Sequence, residues 1–552
     1  MSAAELTRRA LIGSGAALIA APGLARSADP RVGRYTGLRE NGVLAFKGIR
    51  YGRAERFAPP SPESWDGPAL RAQQFGPIAP QRGNPELAQS EDCLFLNVWT
   101  PEANPEAKRA VMVYFHGGAY SNGTVTDPLT HGHRLAAQGD VVVVTVNQRL
   151  NAFGYAWLKP FGPRFADSGN LGQLDLILAL RWVRDHIAAF GGDPARVMVF
   201  GQSGGGAKIA TFMAMPAARG LFHSAATMSG QQVTASGPGN AWKRTQALMA
   251  AMKLAPDDVE GLRTAPARAI VEALAATDPV IGGPVYFGPV LDMTNLPRHP
   301  FWPDAAPQSL AIPMILGNTA QETRAFIDPK GPKLDGLDWS NIAPGIAAEV
   351  KIDLDPEWVV ARYRAQFPDW SPERLFYAAT TAGRSWPGQV IEADARAKAG
   401  AKATWVYQLD RPSPIDPARG AAHTDDIPYV FGTLDAPGSF SGTAARAQAT
   451  RDLMMKAFTG LAKTGKPGLI SWSPYTLPDR ATLVVGDGTA VVVNDPRQFE
   501  RELWATGPYI QPGRSSRCWR RPCFGGASAQ CAGCERRTAR CVRCGAGRPT
   551  VP

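Results

Sequence analysis

The chain has 552 residues, 44% of them hydrophobic and 19% charged, a balance that suits a folded body with a large core and excludes a disordered chain. Its formal charge of +11 invites a polyanionic partner, yet residues 1–28 carry +2 and residues 513–552 carry +8, leaving +1 between them. The body therefore gives no argument for nucleic-acid binding.

Taken in chain order, Arg8 and Arg9 precede an apolar run, rich in Ala and Gly, that ends near Ala21. The run is too short to span a bilayer comfortably. Residues 1–28 are expected to be a twin-arginine export signal, cleaved between Ala25 and Ala28, sending the protein to the periplasm or outside the cell. A membrane anchor or a frayed helix is the competing reading. No later segment is long and apolar enough to be transmembrane, so no stable span is expected in the mature chain.

Residues 29–510 hold no long linker or repeat and read as one large domain with excursions. Ala110–Phe115 and Asp140–Val146 are short and continuously apolar, as are Val197–Phe200, Ile312–Leu316 and Thr404–Leu409. Such runs suit strands buried on both faces. Leu174–Phe190 has Leu174, Leu178, Val183 and Ile187 at roughly helical spacing and stops at Gly191 and Gly192. Residues 230–310 and 325–400, richer in Ala, Pro and charge, are expected to form helical insertions capping the sheet edge. The expected class is α/β: a mostly parallel central sheet with helices on both faces and helical cap insertions.

After the 197–200 strand come Gly201, Gln202, Ser203, Gly204 and Gly205, the form of a nucleophile elbow. Such a turn is so tight that only glycine fits around the serine. In a chain with 57 glycines a bare Gly-rich turn is the alternative, so the partners must decide. A serine hydroxyl needs a histidine to take its proton and an acid to hold that histidine. Of seven histidines, His423 follows the 404–409 strand in a loop, and Glu322 lies just past the 312–316 strand, with Asp328 in reserve. The order serine, acid, histidine fits an α/β hydrolase. His116, Gly117, Gly118, Ala119 and Tyr120 follow the 110–115 strand as a glycine loop. The N–H groups of Gly118, Ala119 and Gly204 are the candidate oxyanion hole, and His116 reads as structural rather than as a second base.

Six of the seven cysteines lie between 518 and 544, including the pairs Cys531 with Cys534 and Cys541 with Cys544. Paired CxxC can hold zinc, but six residues separate the pairs where ribbons use about 15 to 20. An Arg/Cys/Gly-rich tail over 511–552, disordered or artefactual as from a gene read out of frame, is preferred to a metal module.

These motifs resemble the type-B carboxylesterase family, which includes the cholinesterases. The resemblance rests on Ser90–Pro101, His116–Tyr120, Asn147–Gly154, Gly169–Asp175, Phe190–Pro194, Gly201–Gly205, Gly317–Glu322, Gly420–Gly432 and Lys463–Pro467, in that order. It implies a serine carboxylesterase with Ser203 as nucleophile, Glu322 as acid and His423 as base, acting on small-molecule esters with no metal or organic cofactor. It also implies buried ion pairs of Arg56 with Glu91 and Arg149 with Asp175, and supporting roles for Ser229 and Asp426. Two departures argue against choline esters. Gln202 stands where the family usually has Glu, and the choline-binding tryptophan falls near Gly83 in a shortened loop. The expected disulfide partner of Cys93 falls near Ala79, leaving Cys93 a free buried thiol. A non-catalytic binding member of the same fold and a tail-mediated metal or nucleic-acid role are the alternatives, and the oligomeric state stays open.

Overall fold

The computed structural model describes residues 29–350 and 352–509. The expected signal over 1–28 and the tail with its cysteine pairs lie outside the described residues.

Eleven strands form the main sheet: β1 (Leu38–Glu40), β2 (Val43–Arg50), β3 (Phe95–Thr100), β4 (Arg109–Phe115), β5 (Val142–Val146), β6 (Gly192–Gln202), β7 (Ser224–Met228), β8 (Met314–Thr319), β9 (Thr404–Leu409), β10 (Ala481–Val485) and β11 (Ala490–Asn494). Their spatial order is 11-10-9-8-7-6-4-5-3-2-1. The strands from β5 across to β10 pair in parallel. The flanking pairs β1–β2, β2–β3, β3–β5 and β10–β11 are antiparallel.

Strand side chains alternate between two cores, which is why the central runs are apolar at most positions on both faces. In β4, Val111, Val113 and Phe115 join one cluster while Ala110, Met112 and Tyr114 join the other. Helix α1 (Leu171–His186) lays Leu176, Leu180 and Val183 on the first face, and α2 (Gly204–Phe212) adds Ile209 and Phe212. The sequence-predicted helix thus starts three residues earlier. It tightens to a 3₁₀ turn at Ile187–Phe190 and ends at Gly191, whose φ of 83° is the left-handed stop glycine tolerates.

Both excursions are helical, but less extensively than expected. In the first, helices occupy α3 (Pro238–Ala251) and two shorter pieces at Val259–Thr264 and Ala267–Ala273, while the rest up to 310 is mostly irregular. Its Leu248, Leu262 and Ile270 pack with Tyr120 and Ala207, at the sheet's carboxyl edge. The second holds α4 (Ile342–Glu349), α5 (Pro356–Gln366) and α6 (Pro372–Arg384), whose Ile346, Tyr363 and Phe376 share a core with Trp504. The cap ends there. The next helix, α7 (Trp386–Lys398), puts Ala393 and Ala395 on the sheet core and belongs to its helical layer. On the opposite face α8 (Ala445–Thr464) contributes Met454, Phe458 and Leu461. Among the described residues no helix is long and apolar enough to cross a membrane.

Candidate active site

Parallel strands end side by side at one edge, so the loops leaving β4, β6, β7, β8 and β9 meet there. Ser203 sits between β6 and α2 with φ 54° and ψ −122°, a region a serine adopts only when its surroundings enforce it. Here its N–H donates to Met228 O at 2.7 Å and its carbonyl accepts from Ala207 N at 3.0 Å. The flanking glycines answer to close approach. A Cβ on Gly205 would lie 1.9 Å from Phe115 O, and one on Gly201 would lie 2.6 Å from the Gly205 carbonyl carbon.

Glu322 and His423 face each other across the loops after β8 and β9, with Glu322 Oε2 accepting from His423 Nδ1. Its other oxygen accepts from Ser229 Oγ at 2.6 Å and from Thr319 N at 2.7 Å. Burial alone would raise this carboxyl's pKa, but His423 and these bonds outweigh it and hold it below its ordinary value. Asp328 lies exposed in a turn, accepting from Lys330 N, and takes no part in the site. Ser229 supports the candidate acid directly. Asp426 does not: it is wholly buried, its Oδ2 accepts from Tyr407 Oη at 2.7 Å, and burial pushes its pKa up to about 7.

The remaining ring nitrogen, His423 Nε2, lies 3.1 Å from Gln202 Nε2, while Ser203 Oγ has no hydrogen-bond partner among the described residues. With Nδ1–H committed to Glu322, Nε2 carries the lone pair and accepts from the Gln202 amide. The candidate base thus rests on the residue before the serine.

The loop after β4 presents backbone donors to the same place. Gly118 and Ala119 have φ of 80° and 53°, and a Cβ on Gly204 would lie 2.0 Å from Ala119 O, so this loop lies against the elbow. Gly117 O accepts from His116 Nδ1 at 2.9 Å, and Gly118 O accepts from Ser121 N and Asn122 N, each at 3.1 Å. No protein acceptor among the described residues takes the N–H of Gly118, Ala119 or Gly204. His116 is buried and accepts at Nε2 from Gln148 Nε2 at 3.1 Å. Burial and then Lys208 push its pKa down to about 3, so it stays neutral and structural.

The loop after β5 buttresses this one. Asn151 N donates to Tyr120 O at 2.7 Å, and Arg149 pairs bidentately with Asp175 of α1 at 2.9 and 2.7 Å, both side chains buried. Arg56 and Glu91 also pair, but with side chains 13% and 32% exposed, so that pair is partly buried rather than enclosed in the core. Cys93 is a buried free thiol. Sequence reasoning missed Lys208, whose Nζ donates to His116 O and Ala119 O. A lone lysine in the otherwise uncharged Gly204–Phe212 was its only signal.

Beside the glycine loop lies a cleft of about 450 Å³ lined by Arg82, Gly83, Ser121, Asn122, Asn151, Leu274, Pro284, Val285 and Tyr286. It holds no carboxylate. Gly83, near which the resemblance puts the choline-binding tryptophan, forms part of its wall.

The sequence model of the carboxylesterase family matches residues 30–504. Para-nitrobenzyl esterase of Bacillus subtilis is 33% identical, covering 85% of this chain and 96% of its own. Phenmedipham hydrolase of Pseudarthrobacter oxydans is 31% identical with the same coverages. The crystal structure of carboxylesterase EST55 from Geobacillus stearothermophilus superposes with a TM-score of 0.74 at 34% identity, over 85% of this chain and 98% of that one. With its sheet, elbow and ordered motifs, the chain belongs to the carboxylesterase family of α/β hydrolases and is a carboxylic ester hydrolase.

Proposed function

We propose that the protein hydrolyses neutral carboxylic esters through an acyl-serine intermediate on Ser203. Ser203 Oγ attacks the ester carbonyl as His423 Nε2, released from Gln202, takes the hydroxyl proton. The carbonyl oxygen becomes an oxyanion held by the N–H groups of Gly118, Ala119 and Gly204, each worth about 10²- to 10³-fold in rate. Glu322 holds the Nδ1–H tautomer and stabilises the imidazolium. Collapse breaks the ester bond, His423 gives its proton to the departing alkoxide, and water repeats the sequence on the acyl-enzyme.

The observation that carries this reading is the Glu322–His423 bond at the carboxyl edge, with Nε2 resting on the residue that precedes the elbow serine. A fluorophosphonate probe is expected to label Ser203, and Ser203→Ala to lower kcat/KM by at least about 10⁴-fold. A variant retaining a tenth of the activity would refute the assignment.

The substrate class proposed is an uncharged ester with an apolar or aromatic alcohol part. Supporting it are the cleft walls of Leu274, Pro284, Val285 and Tyr286 and the likeness to an esterase named for para-nitrobenzyl. Gln202 and the acid-free cleft leave a quaternary ammonium without a carboxylate partner at these positions. Export by the twin-arginine route remains part of the proposal on the strength of Arg8, Arg9 and the run after them. Secretion of a fusion carrying residues 1–28, abolished by Arg8→Lys with Arg9→Lys, tests it.

A further inference from the structure

Lys208 lies five residues after Ser203, inside α2, and is wholly buried. Among the described residues no carboxylate pairs with it. Its Nζ donates to His116 O at 3.0 Å and Ala119 O at 2.9 Å, and sits 5.5 Å from the centre of the Tyr120 ring. Burying an unpaired ammonium is costly, so packing alone does not account for a lysine here. What it touches does.

The carbonyl of one residue and the N–H of the next share a planar peptide and point in opposite directions. Lys208 therefore fixes the 116–117 and 119–120 peptides. Between them lie the 117–118 and 118–119 peptides, whose N–H groups belong to Gly118 and Ala119. Their own carbonyls are held by His116 Nδ1 and by the N–H groups of Ser121 and Asn122. All four carbonyls from 116 to 119 are thereby occupied.

We propose that Lys208 is a positioning residue that clamps both ends of the oxyanion loop from behind, aiming the Gly118 and Ala119 N–H groups at the ester carbonyl oxygen. The inference rests on the assignment of those groups as oxyanion donors. Burial draws the Lys208 pKa down to about 7, and the neutral amine still has an N–H for each carbonyl, so the clamp works in either protonation state.

The test compares Lys208→Met with the parent enzyme on para-nitrophenyl acetate, using two inhibitors of one shape: an aryl trifluoromethyl ketone, which adds to serine and forms an oxyanion, and its methyl ketone. Per site titrated with fluorophosphonate, kcat is expected to fall about 10²-fold with KM within threefold. Affinity for the trifluoromethyl ketone should fall in step while that for the methyl ketone holds. Lys208→Gln, keeping one donor, should lie between; it also supplies the reading if the Met variant does not fold. Unchanged kcat per titrated site, or equal weakening of both ketones, would overturn the clamp. A parent enzyme that fails to prefer the trifluoromethyl ketone would instead overturn the oxyanion assignment beneath it.

Discussion

Gln202 sets the resting contact of His423, the proposed base. Its amide donates to His423 Nε2 at 3.1 Å, so proton transfer from Ser203 requires that contact to be exchanged for the serine hydroxyl. A carboxylate in its place would favour the imidazolium instead. Gln202→Glu is therefore expected to move the acid limb of the kcat/KM profile upward by roughly one pH unit, read with para-nitrophenyl acetate between pH 5 and 9; an unmoved limb would place the side chain away from the base. Ser229 acts on the other partner, donating to Glu322 Oε1 at 2.6 Å. Ser229→Ala should cost about 1.5–3 kcal/mol in stability at pH 7. The sign follows from the depressed pKa of Glu322. Such a carboxylate contributes stability above its unfolded value, near 4.5, and loses it as pH falls through the lower folded value. The stability gap between parent and variant should therefore be full at pH 7 and narrow below about pH 4.5, as urea unfolding at several pH values would show.

Among elements, the elbow works because the end of β4 presses against it. A Cβ at position 205 would meet Phe115 O at 1.9 Å, and backbone cannot yield as a flexible side chain does. Gly205→Ala is expected to cost about 1–3 kcal/mol and to abolish fluorophosphonate labelling even in the folded fraction, because relief must move Ser203. The loop after β5 has a comparable dependence on α1 through Arg149 and Asp175. Asp175→Asn leaves a buried guanidinium without its counter-charge, at a cost of about 3–5 kcal/mol. Because Gln148 and Asn151 of this loop brace His116 and Tyr120, kcat should fall alongside thermal stability; a stability loss with unchanged kcat would show the two loops to be uncoupled.

At the scale of the whole molecule, every element among the described residues that shapes the site lies between Leu38 and Trp504. A chain of residues 29–509 is expected to keep kcat/KM within a factor of two of the full chain, and a larger loss would give the ends a part in catalysis. The acid-free cleft predicts kcat/KM for acetylcholine at least about tenfold below that for a neutral ester of similar size. Equal rates would show that the cleft provides for cations by means other than a carboxylate.

The nearly unbroken apolar runs and the glycine-flanked Ser203 by themselves determined the parallel sheet, the elbow and the chain order of the three candidate residues. These features are local: a strand buried on both faces must be apolar throughout, and a tight turn excludes side chains. The antiparallel flanks were less legible. β2 includes Lys47 and Gly48 within its apolar run, and β11 is a half-exposed edge. Glu322 was already preferred to Asp328 along the chain, but its bond to His423 needed the fold, which turns only Glu322 inward. So did the link from Gln202 to His423 and from Lys208 to the glycine loop. Both join side chains to groups far away in sequence, and packing of the parallel strand ends, rather than any spacing along the chain, brings them within hydrogen-bond reach.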